Sequence, residues 1–150
     1  MTYTPTCALK LLLSVLVLLV PAAAIATEHA EVRVALRTGP CNEDLGYVIE
    51  TGADEKAVYR AADEKIRAQF PEARNFHQAD SNTKRGGVQK RLAVVSTTVK
   101  HKGCASRAYG VGFGQDEAAA LKDALRNLGK RWPWWSRSRD GHRVETARAL

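Results

Sequence analysis

The sequence has few of the patterns that mark an enzyme. Its four histidines, His29, His77, His101 and His142, stand in no metal-ligand spacing with each other or with a cysteine. No G-x-S-x-G nucleophile elbow occurs. The adjacent carboxylates Glu43–Asp44 and Asp63–Glu64 read as solvated turn and helix positions, and Ser96, Thr97 and Thr98 as strand residues. These absences lean away from an enzyme. No catalytic residue, metal ligand or cofactor is assigned. A small hydrolase is the third alternative, because a catalytic constellation is recognised by geometry that sequence hides.

Long hydrophobic runs are also missing. The apolar stretch Leu11–Val20 is too short for a membrane span, which needs about 20 residues. It follows Lys10 and precedes Pro21 and Ala24-Ile25-Ala26, the layout of a secretory signal peptide. Residues 1–26 are therefore expected to be a signal peptide, cleaved after Ala26 with Ala24 as second choice. An uncleaved anchor is the alternative. The mature protein is expected to be secreted or periplasmic.

Cysteine is scarce, with 3 in the chain. Cys7 precedes the apolar run and leaves with the leader. The remaining pair, Cys41 and Cys104, reads as a disulfide in an oxidising compartment. Two free thiols or an intermolecular bridge are the alternatives. A zinc site would need a second cysteine pair or a neighbouring histidine.

What is present divides into two similar halves. Val32, Val34 and Leu36 alternate with charged residues, the pattern of a half-buried strand. "TGPCN" is a turn and "LGYVIE" a second strand. After Gly52, Val58, Ala62, Ile66 and Phe70 form a helical stripe that Pro71 ends. "EARNFHQADSNTKRGGVQK" is polar and aperiodic, and reads as a long loop. The strands "RLAVVSTTVKHKG" and "SRAYGVGFG" then lead into the helix "QDEAAALKDALRNLG". Its expected stripe is Ala118, Leu121, Ala124 or Leu125, and Leu128, with Gly129 as the stop. A shift of 62 pairs Tyr47 with Tyr109, Gly52 with Gly114, Asp54 with Asp116 and Ile66 with Leu128. Internal duplication and coincidence between two ordinary strand-to-helix junctions both fit. The expectation is an α+β domain over 27–129. It has a four-stranded antiparallel sheet, ββα-ββα, and both helices on one face. Residues 130–150 follow as a basic, Trp-rich tail.

The run "GVGFGQDEAAALKDAL" offers no phosphate cradle. Residue 115 is Gln, so G-x-G-x-x-G fails, and no G-K-[ST] follows. Its glycine spacing and Ala/Leu helix resemble the strand-to-helix half of double-stranded-RNA-binding domains over some twenty residues. That family's phosphate-gripping lysines would fall near Asp116 and Glu117, where the charge is reversed. Nucleic acid is therefore not the expected partner. The glycines instead read as room for close backbone packing or a bulge.

Charge is the remaining signal. Residues 27–83 carry 7 basic and 11 acidic side chains, and residues 84–150 carry 15 and 5. The second half is thus strongly cationic, which suggests an anionic partner or attraction between the halves. All three tryptophans, Trp132, Trp134 and Trp135, lie in the tail among Lys130, Arg131, Arg137, Arg139 and Arg143. This composition resembles cationic Trp-rich antimicrobial peptides. The expected surface-binding residues are Arg131, Trp132, Trp134, Trp135, Arg137 and Arg139. The expected partner is anionic lipid or a cell-envelope polymer. A protein partner is the alternative, with the tryptophans packed inward to complete a thin core.

Overall fold

The computed structural model describes residues 29–84 and 87–150. The expected signal peptide lies outside the described residues. The chain is α+β. Strands β1 (His29–Arg37) and β2 (Glu43–Gly52) form a hairpin, followed by helix α1 (Glu55–Gln69) and strand β3 (Asn75–Ser81). A two-residue pair, β4 (Thr83–Lys84) and β5 (Gly87–Val88), links the halves. The second half repeats the first: β6 (Arg91–His101), β7 (Cys104–Gly114), α2 (Glu117–Arg131), the short α3 (Arg137–Asp140) and β8 (Arg143–Ala149).

The expected single four-stranded sheet does not form. There are two three-stranded antiparallel sheets, ordered β2-β1-β3 and β7-β6-β8. Each half gains a third strand, which the sequence hides. β3 falls within the expected loop and β8 within the expected tail. Both are edge strands with no fully buried residue, so neither shows the period-two apolar pattern of a strand that covers a core. Residues 130–150 are thus no separate tail: α2 runs on to Arg131, and β8 pairs with β6.

The two helices also lie on different sheets. Val32 and Val34 of β1 pack against Leu92 and Val94 of β6 and Val111 and Phe113 of β7, forming a core between the sheets. α1 covers the outer face of the first sheet through Val58, Ala62 and Ile66. α2 covers the outer face of the second. β1 is consequently buried on both faces rather than one. Glu31 and Arg33, which read as solvent-facing, lie beneath α1. Arg33 Nε bonds Glu31 at 2.6 Å, and its guanidinium rests 3.9 Å from the centre of the Tyr59 ring.

The glycine stripe has a packing explanation. A Cβ on Gly112 would fall 2.1 Å from the Ala124 nitrogen and 2.5 Å from the Ala120 oxygen, and Gly110 and Gly114 meet α2 as closely. The bare strand face lets the α2 backbone sit directly on β7. This selects Ala120, Ala124 and Leu128 as the buried stripe. Ala118 is exposed instead, and Leu121 and Leu125 flank the core. The helix also passes Gly129 and is capped at Trp132.

The halves agree in detail. Asp54 and Asp116 each cap their helix by accepting a backbone N–H, from Ala57 and Ala119. The β1–β3 pairing slips between Val32 and Arg33, and the β6–β8 pairing slips between Val94 and Val95, 62 residues on. Tyr47 and Tyr109, equivalent positions, touch edge to face at 5.1 Å. Cys41 and Cys104, from the two equivalent hairpins, form a disulfide with a Cα separation of 5.5 Å. Contacts between a position and its own counterpart are those of a twofold arrangement. Closing a loop of this length contributes about 4 kcal/mol on the loop-entropy model.

Candidate functional site: a cationic aromatic patch

The β6–β7 hairpin turns through Lys102 (φ 48°) and Gly103 (φ 81°), two left-handed residues in succession, the geometry of a tight two-residue turn. The turn presents His101, flanked by Lys100 and Lys102. The His101 ring stacks on Trp134, with centroids 4.2 Å apart and planes 17° from parallel. Trp134 is half exposed on its outer side.

Trp134 is held in place by the segment around it. Trp135 donates from Nε1 to the Gly141 carbonyl at 2.9 Å. Thr97 on β6 donates to the carbonyls of Asp140 and Gly141. The Asp140 carboxylate accepts from the Ser136 N–H at 2.9 Å and from Arg139. The Arg139 bond and then the Ser136 N–H hold Asp140 well below the ordinary carboxylate range, at about 2, and Lys100 adds to the effect. Arg139 also donates to the Trp134 carbonyl. The result is a half-exposed indole stacked on His101, with Arg139 bonded to the Trp134 carbonyl and Asp140 as the counter-charge, in a region that also carries the exposed Lys100, Lys102 and Arg137.

The six residues expected at a binding surface therefore divide. Trp134, Arg137 and Arg139 are exposed, and Arg139 donates to the Trp134 carbonyl. Trp132 is buried in the core beneath α2, and Trp135 packs against that core. Arg131 turns inward to an ion pair with Asp44, whose side chain is fully buried and also accepts from the Tyr109 N–H at 2.8 Å. Burial raises the Asp44 pKa, against the pull of Arg131 and the Tyr109 N–H. Pro133 follows the α2 cap and lies between the inward Trp132 and the outward Trp134. The patch residues Lys100, His101 and Lys102 were not anticipated. They lie some thirty residues before Trp134, and only the fold joins them. The K-H-K turn beside Cys104 was the one available signal.

Among the described residues, no helix is long and apolar enough to cross a membrane, and no group of three or more His, Cys, Asp and Glu side chains could hold a metal ion. No family model matches the chain, and no curated protein and no solved structure matches it.

Proposed function

We propose that this is an exported, non-enzymatic binding protein, the product of an internal duplication. Its second half docks on an anionic envelope or extracellular surface, such as lipid head groups or a cell-wall polymer. The observation that carries this reading is the half-exposed Trp134, stacked on His101 and held by Arg139, with the exposed Lys100, Lys102 and Arg137 on the same two segments. An indole favours a membrane–water interface, and arginine and lysine meet phosphate or carboxylate. The signal-like leader and the disulfide support a secreted or periplasmic location.

The test is cosedimentation of the mature protein with vesicles of phosphatidylglycerol and phosphatidylcholine. Binding is expected on the anionic vesicles only, and should weaken from 50 to 300 mM salt because exposed charges are screened beyond about 10 Å at 0.1 M. Arg137→Glu/Arg139→Glu should reduce it about tenfold or more, the order expected when attraction at two positions becomes repulsion. Binding indifferent to salt and to the double variant would refute the electrostatic reading.

A second reading is a protein-binding module such as an inhibitor or accessory subunit. The inward-facing Trp132 and Trp135 favour it, since they make much of the segment structural.

A further inference from the structure

Away from Trp134, a crevice of about 290 Å³ opens where the two halves meet. His77 of β3 forms one wall. Tyr109 of β7, with Asn127, Lys130 and Arg131 of α2, forms the other. The first half thus supplies the histidine and the second half the cations.

Two of the lining side chains each carry a buried polar atom with no hydrogen-bond partner among the described residues. His77 Nδ1 lies 3.2 Å from the Gln78 carbonyl. A carbonyl only accepts, so Nδ1 carries the proton and Nε2 keeps a lone pair. That Nε2 is buried and has no partner among the described residues. Burial first, and then the Arg131 charge, push the His77 pKa down to about 4, so the ring is neutral at pH 7. The second atom is Nη1 of Arg131, a buried donor that also finds no partner among the described residues. The other arm of Arg131 is bound to Asp44. Asn127 Nδ2 donates to the Val111 carbonyl at 2.8 Å and to Asp80 at 3.3 Å.

A crevice whose walls carry a buried unmet acceptor and a buried unmet donor, with the exposed Lys130 at its edge, fits a particular ligand. The ligand must be an anion, accept from Arg131 and Lys130, and still donate one hydrogen bond to His77. We propose that this crevice binds hydrogen phosphate, with His77 Nε2 accepting its P–OH while Arg131 and Lys130 donate to its oxygens. Sulfate has the same shape and charge but no hydroxyl at neutral pH. It would set an oxygen lone pair against that of His77, and a site is most selective where a mismatch leaves a buried polar group unpaired.

The test is calorimetric titration of the mature protein with inorganic phosphate and with sulfate, at pH 7 and equal ionic strength. Phosphate is expected to bind at least about tenfold more tightly than sulfate. His77→Phe should remove that preference, and Lys130→Gln should weaken both anions. Arg131 is left intact, because removing it would strand the buried Asp44. A readout on the unaltered protein covers the case in which His77→Phe fails to fold: phosphate, and not sulfate, should shift the His77 Nε2 resonance. Phosphatidylglycerol, a diester without a P–OH, should not displace bound phosphate. Equal affinity for the two anions, no phosphate binding, an unmoved His77 resonance or displacement by the diester vesicles would each overturn the proposal.

Discussion

Asp140 decides how firmly Trp134 is presented. Its carboxylate joins the Ser136 N–H to Arg139, and Arg139 reaches the Trp134 carbonyl. The pKa of Asp140 is lowered on folding, so its contribution is fully present above the unfolded value of about 3.9 and is lost as pH falls through about 2. The expected outcome is that Asp140→Asn makes tryptophan emission more quencher-accessible at pH 7, and that the parent protein changes likewise only between pH 4 and 2. A variant as protected as the parent would show that the carboxylate does not hold the turn. The tail composition in the sequence showed that aromatic and cationic residues cluster here. It could not show which ring faces out, because that depends on where α2 is capped and on a histidine from a distant hairpin.

At the scale of elements, the contact between α2 and β7 is the tightest constraint. The glycines at 110, 112 and 114 could be read as close-packing positions from the sequence, and they are. Gly112→Ala would place a Cβ against the α2 backbone on two sides. It should cost about 3 kcal/mol or more in urea denaturation, since neither neighbour can rotate away. Gly39→Ala, with nothing within 4 Å of the new Cβ, is the control and should be near neutral. Equal stabilities would mean that the helix is not seated on the strand as described. The helices themselves were legible from their stripes and acidic starts. The strands β3 and β8 were not, because neither buries a residue fully and so neither leaves an apolar period. Glu31 and Arg33 were misread for the opposite reason. Alternating charge marks a solvent face unless a helix covers it, and here the charges pair with each other beneath α1.

For the whole molecule, the sequence carried the Cys41–Cys104 bridge, the α+β class and the resemblance between halves, since each rests on pairs of positions that sequence displays. It did not carry the back-to-back sheets, which follow from apolar residues on one strand face meeting a second sheet instead of a helix. The charge asymmetry includes one direct attraction between the halves. Asp44 of the acidic half grips Arg131 of the basic half, while Arg137, Arg139 and Lys100 are exposed. We propose that the exposed cations and Trp134 dock on an anionic surface. The most direct measurement is tryptophan emission of the protein and of Trp134→Phe, titrated with phosphatidylglycerol vesicles at low salt. A blue shift is expected in the parent protein and not in the variant, because Trp132 and Trp135 are already packed. A shift of equal size in both proteins, or none in the parent, would contradict it.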